Sequence, residues 1–456
     1  MAMGRMDTER QENLWVETSA LPCAPGHPFY EKLNALLAKH GFDAMVEAEC
    51  QQYYAETLGR PSVPPVAYFK SLFVGYFEDI DSERGIAWRI ADSMTLRSFL
   101  GYALTEGTPD HSSLSRTRRL MSVETHQLVF QWVLEVLAQE GLLRGKTLGV
   151  DATTLEANAA LRSIVRRDTG ESYEEFLIKL AKASGIETPT REDLAKIDKN
   201  RPGKGSNQDW THPYDGDARI TKMKDGRTHL AHKAEHAVDM DTGVVVAVTL
   251  QHADLGDTET VKATLDEARE NVRSVAGNPT VRWHLEPLRE VVLDKGYHSN
   301  DTVRDLPKDG LRTYISEPKR GRRNWEGKKK ERDAVYANRR RVRGVYGKRL
   351  LRKRGELVER SFAHCYETGA MRRTHLRHHE NILKRLLIHV GAFNLSFIFR
   401  QVIGFGTPRG LQERLGKAIK SSRTPFGRAF ATLGRALGAS IHSWFLTRIR
   451  TVNTIF

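Results

Sequence analysis

Apolar positions recur at helical spacing through the first third of the chain. Pro64-Pro65 precedes an apolar-periodic run from Val66 to Phe77, and proline near a helix start costs little because its missing N–H would have no partner there. A second periodic run covers Arg84 to Leu100. In residues 108–121, TPDHSSLSRTRRLM, Asp110 and Ser112 are suited to N-capping, with Leu114, Arg118 and Met121 following at helical spacing. Leu128, Val129, Trp132, Val133, Val136 and Leu137 form a wide apolar stripe that Gly141 closes. The pattern predicts a helical N-terminal domain over residues 1–140.

The period changes at Lys146. KTLGVDATTLEA holds a short β-type run that ends on Asp151, whereas residues 160–225 are polar and read as an insertion with one or two helices. Strand signals return in HLAHKAEHAVD (229–239) and VVVAVTL (244–250), and the MDTG between them predicts a hairpin. A helical stretch from Thr258 to about Val275 leads to REVVLD (289–294), again ending on an Asp; a helical piece near 299–306 and a strand near Leu311 to Ile315 follow. This order predicts a mixed α+β or α/β unit over 141–400, with insertions at 160–225 and 318–354 and helix from about Gly355 onward. The apolar stretch Leu386 to Phe399 is short and interrupted by His389, Gly391 and Asn394, which predicts a buried core helix and no membrane partner. Residues 401–456 read as a basic tail.

Charge sharpens the picture. The formal net charge is +14, and residues 318–354 alone hold 17 Lys or Arg against 3 Asp or Glu; the remainder balances at 54 against 54. A neutral protein with one basic block addresses a polyanion more readily than a uniformly basic one does, although a solvated linker has the same composition. Cys23, Cys50 and Cys365 are scattered, which argues for a reducing compartment and against a disulfide framework. No P-loop run is present, so ATP-driven chemistry is not indicated.

Two Asp residues at strand ends suit chemistry on an α/β sheet, where ligands bind at the carboxyl edge. Hard cations such as Mg²⁺ take carboxylate oxygens, and a metal pair can drive in-line displacement at phosphorus. Asp151 and Asp294 are two candidates, Glu359 in RGELVERSFAH is the third, and Glu356 is a rival to it. Each alone also fits a turn, a cap or a surface ion pair.

VDATTLEA, VVLDKGYHSN and LVERSFAH, with TPDHSSLSRTRR upstream and Arg372-Arg373 downstream, resemble the motifs of DDE insertion-sequence transposases, in the family's order over roughly residues 60–400. The resemblance implies a ribonuclease-H-like catalytic core, Mg²⁺ or Mn²⁺ (two per site) held by Asp151, Asp294 and Glu359, hydrolysis at element ends, and strand transfer. It also implies double-stranded DNA as partner, a homodimer on DNA, and a bacterial cytoplasmic, nucleoid-associated setting. Two alternatives are a metal-dependent nuclease without strand transfer and an inactive DNA-binding relic. Tyr366 stands where related groups carry a Lys, and His378-His379 replaces a simpler R-Y-E step.

DNA-contact candidates are Arg116, Arg118 and Arg119 upstream and Arg352, Arg354, Arg360, Arg372 and Arg373 near Glu359, where cations would neutralise phosphates. Trp325 and Tyr346 are candidates for base stacking or for packing. The histidines do not read as zinc ligands. His232 and His236 lie too far apart on one strand to chelate an ion, and His375, His378 and His379 lack a Cys partner.

Overall fold

The apolar runs of the first third fold as α1 (Pro28–Lys39), α2 (Phe42–Cys50), α3 (Pro65–Phe77), α4 (Glu83–Ala91), α5 (Met94–Phe99), α6 (His111–Leu120) and α7 (Val123–Gln139). These elements come from a computed structural model that describes residues 28–411, apart from 56–61, 202–204, 224–225, 282–284, 320 and 322. The basic tail from residue 412 therefore lies outside the described residues. Pro65 opens α3 as the sequence predicts, and every residue of α3 from Val66 to Phe77 is buried, the mark of a helix enclosed on all sides. Asp110 is the N-cap of α6, accepting from the Ser113 N–H. On α7 the expected stripe turns inward, except that Leu128 is exposed.

The sheet begins with β1 (Thr147–Glu156). The strand does not end on Asp151 as the pattern predicts; it continues for five more residues, because Leu155 still finds a buried position on one face. Next come β2 (Val165–Arg166), α8 (Tyr173–Ala183), α9 (Arg191–Asn200), β3 (Trp210–Thr211) and β4 (Arg219–Lys222). Ser172 and Thr190 open the two helices with capping boxes. The hairpin is β5 (Thr228–Asp239) and β6 (Val245–His252), followed by α10 (Asp257–Gly277), β7 (Glu290–Leu293), α11 (Asn300–Asp305) and β8 (Arg312–Ile315).

The main sheet runs β4-β5-β1-β7-β8, with β6 also paired to β5. β1 is antiparallel to β5 and parallel to β7, and β7 is parallel to β8. This is the mixed sheet of a ribonuclease-H-like fold. On β6 and on β8 one residue has both backbone groups met by an asparagine side chain. The Asn394 side chain bonds both backbone groups of Val245 on β6 (2.9 and 2.7 Å), and Asn338 bonds both groups of Ile315 on β8 (3.1 and 2.8 Å).

From Lys329 the basic block is helical: α12 (Lys329–Arg343) and α13 (Val345–Phe362) meet at Gly344. Helix thus begins well before Gly355. Charge hides the 3.6 period, since α12 buries only Val335 and Asn338, while Lys and Arg are good helix formers. α14 (His379–Ile403) contains the apolar stretch. It is long and apolar enough to cross a membrane, but 89% of that window is buried inside the protein. α14 packs on α7, α3 and β6, so the helical region and the sheet share one hydrophobic core from Phe29 to Phe399.

Candidate active site and nucleic-acid interface

Asp151 and Asp294 are brought together by register. Val150 pairs with Leu293 at the last step of the β1–β7 ladder, so both Asp residues are the next along their neighbouring strands. Further along β1, Glu156 forms a parallel bridge to Arg373, and Thr374 N–H bonds the Glu156 carbonyl at 2.9 Å. Among the described residues, the β7-side edge of β1 is therefore laddered up to Val150 and again at Glu156. The intervening edge, where Asp151 sits, opens beside the end of β7.

Arg354 on α13 lies between the two carboxylates. Its Nη1 donates to Asp151 Oδ2 at 2.7 Å, and its Nη2 is 4.0 Å from Asp294 Oδ2. The close approach of α13 depends on Gly149. A Cβ there would meet Met240 Sδ at 2.6 Å and Arg354 Cγ at 3.0 Å. Burial raises the Asp151 carboxyl above its ordinary value, while Arg354 and the Ala152 N–H act against that rise. Asp294 caps the short turn Lys295–Tyr297 by accepting from Lys295 N–H. One guanidinium between two carboxylates leaves the place net negative, so a further cation would be favoured there.

Glu359 lies on the same helix as Arg354, five residues later, or roughly 7.5 Å along the axis. It is exposed. Glu356 is exposed too, but it is held by Arg360 at 2.6 Å. The structure therefore links Asp151 and Asp294 through Arg354, and among the described residues no hydrogen bond or ion pair links the Glu359 side chain to either, although α13 packs on both β1 and β7.

Sequence reasoning missed the layer beneath α13. His236, opposite Asp151 on β5, is buried, with Nδ1 2.9 Å from Ser361 Oγ and Nε2 2.6 Å from Tyr366 Oη. Ser361 Oγ already donates to the Val358 carbonyl, so Nδ1 carries the proton and Nε2 accepts from tyrosine. Burial lowers this imidazole to about 3, keeping it neutral. Tyr366, in place of the expected Lys, thus closes a buried network at the π-helical turn Ala363–Glu367.

The basic candidates divide. Arg118 is only 7% exposed and binds Glu83, Asn381 (3.2 Å) and Ser115 (3.1 Å). Arg354 is 9% exposed and engaged with the acidic pair. The three guanidinium nitrogens of Arg118 are engaged inside the protein, whereas Arg354 gives one donor to Asp151 and its buried Nε has no hydrogen-bond partner among the described residues. Arg372 is half-buried, donating to Thr153 Oγ1 and the Thr154 carbonyl at 2.9 Å. Arg116, Arg119, Arg352, Arg360 and Arg373 are exposed, as are Lys329, Lys330, Arg340, Arg343, Lys348 and Arg349 on α12 and α13. Tyr346 is half-exposed, with its hydroxyl on Glu290 at 2.8 Å, and Trp325 lies under the Arg323 guanidinium.

Residues 20–120 match the family described as transposase domain (DUF772), and residues 195–395 match the transposase DDE domain. The second match includes Asp294 and Glu359 and starts beyond Asp151. No curated protein and no solved structure matches the chain.

Proposed function

The chain belongs to the DDE transposases of insertion sequences, and from that premise we propose that it hydrolyses the phosphodiester at element ends and joins the freed 3′-OH to target DNA. The observation that carries this reading is the placing of Asp151 and Asp294 side by side where β1 leaves β7, beside the basic helices α12 and α13. Asp151, Asp294 and Glu359 would hold divalent ions, Mg²⁺ or Mn²⁺ and two per site, whose chemistry is to activate the attacking oxygen and stabilise the leaving one.

The chain's own residues do the rest. Asp151 and Asp294 present acceptor oxygens to a common position, and Arg354 holds that pair together between substrates. The exposed cations of α12 and α13, with Arg373 at the end of β1, bind phosphates and set the strand across the acidic pair. Such contacts position DNA without reading its sequence. Two element ends must be cut in one complex, so a homodimer on DNA is the expected assembly.

A cleavage and strand-transfer assay with the element's own ends, in Mg²⁺ or Mn²⁺, tests this. Asp151→Ala, Asp294→Ala and Glu359→Ala should each abolish cutting and joining while leaving end binding intact. Variants that cut like the wild type would remove these residues from the mechanism. Nicked plasmid without joined product would indicate a nuclease, and binding without any cutting would indicate a relic.

A further inference from the structure

A second set of ligand-type side chains lies away from the acidic pair. His232 faces Leu155 across the β1–β5 ladder, four residues on from the Asp151–His236 pair, or roughly 13 Å along the strand. Around it gather His252 from the end of β6, His379 from the start of α14, and Asp215 and Asp217 from the segment before β4. The His232 and His379 rings are 5.1 Å apart by centroid, and those of His252 and His379 4.7 Å. Ligand atoms of Asp217, His252 and His379 all lie within 4.8 Å of one another.

Part of this cluster has an ordinary structural role. Asp215 and Asp217 accept from the His378 and His379 backbone N–H groups at 3.2 and 3.0 Å, capping α14. That role leaves a remainder. His232 is 0% exposed, and among the described residues neither of its ring nitrogens has a hydrogen-bond partner. Asp215 Oδ2 and His379 Nε2 are buried without one as well. Buried polar atoms are normally satisfied, and His232 Nδ1 is desolvated without a hydrogen bond among the described residues. His232 Nε2 stands 3.4 Å from Asp215 Oδ2, and His252 Nδ1 is 3.0 Å from the Asp217 carbonyl. Ligating histidines characteristically place their second nitrogen against a carboxylate or a carbonyl in this way. His252 Nε2 is also 3.5 Å from Arg219 Nη2, a long approach that an ion would replace.

We propose that this cluster binds one structural zinc ion, with Asp217, His252, His379 and His232 as ligands and Asp215 orienting His232. Imidazole nitrogen and carboxylate oxygen are both zinc ligands, and four protein ligands fill a tetrahedral shell. The ion ties the end of the 160–225 segment to β5, β6 and the start of α14. The spacing of His232 and His236 on one strand conceals the site, because the partners of His232 come from other elements.

The test is metal analysis of the purified full-length chain after dialysis against buffer with excess Mg²⁺. About one zinc per chain is expected in the wild type and in Asp151→Asn, and background zinc in His252→Ala/His379→Ala, with Asp217→Asn losing most of it. Cobalt-substituted wild type should show the intense visible absorption of a tetrahedral site, which decides the matter even if the double variant does not fold. Background zinc and no tetrahedral spectrum in the wild type would overturn the proposal. So would zinc that survives in the double variant or disappears in Asp151→Asn.

Discussion

Helices α6 and α13 are both rich in arginine, and each turns one arginine inward while its others face solvent. On α6, Arg118 turns inward to Glu83 on α4 and Asn381 on α14, and burial lowers its guanidinium below the ordinary value. It holds three helices in register. On α13 only Arg354 turns inward, to the acidic pair, while Lys348, Arg349 and Arg352 face solvent together with the neighbouring cations of α12. Basic composition alone therefore does not mark a nucleic-acid surface. What separates the inward arginine from the outward ones on each helix is whether a carboxylate or amide from another element meets the guanidinium.

The sharpest way to break this contrast is Arg118→Ala. Removing one partner of a buried pair leaves Glu83 uncompensated and should cost about 3–5 kcal/mol, whereas Arg116→Ala on the exposed side should stay within about 0.5 kcal/mol. Urea unfolding of the full chain measures both, and equal effects would end the distinction. A smaller effect on stability, with a clear one on binding, is expected for the triple charge reversal Arg340→Glu/Arg349→Glu/Arg352→Glu. Its unfolding midpoint should not move, while the slope of log affinity for DNA against log salt should fall by roughly 3, since each phosphate left without its cation removes about 0.9. An unchanged slope would take DNA off this face.

The smallest effect belongs to Asp110→Ala. The Ser113 N–H and the Ser112 and Ser113 hydroxyls hold the Asp110 carboxyl down at about 2, below its ordinary 3.8. A lowered carboxyl stabilises the fold above 3.8 and loses that contribution as pH falls toward 2. The alanine variant should therefore melt slightly lower than wild type at neutral pH, and the gap should close through that acid window. A gap that does not change with pH would separate the cap from its charge.

The parts of the fold set by short-range pattern were legible in the sequence. The β5–β6 hairpin, β7 ending before Asp294 and the α3 and α7 helices follow from runs of apolar residues and turn signals within a few residues of one another. The continuation of β1 was not legible, because Thr153 and Thr154 break the apolar signal although the strand goes on. The direction of Arg118 was hidden for a different reason: its partners lie 35 and 263 residues away. At the candidate site, the neighbouring of Asp151 and Asp294 could be anticipated from two strands of like ending. Arg354 between them, and the His236–Ser361–Tyr366 layer below, depend on where α13 crosses the sheet, and no local spacing encodes that.

The packing of α14 against α3 and α7 also has a consequence for how the chain comes into being. The first helices bury their apolar faces against a segment that starts at His379, some 240 residues after α7 ends at Gln139. At about 5–20 residues per second, a ribosome takes roughly 12–50 s to cover that stretch. Throughout that interval the early helices carry exposed aromatic surface, and only the arrival of the last described helix completes their core. On this packing the N-terminal helices can complete their core only after α14 has been made.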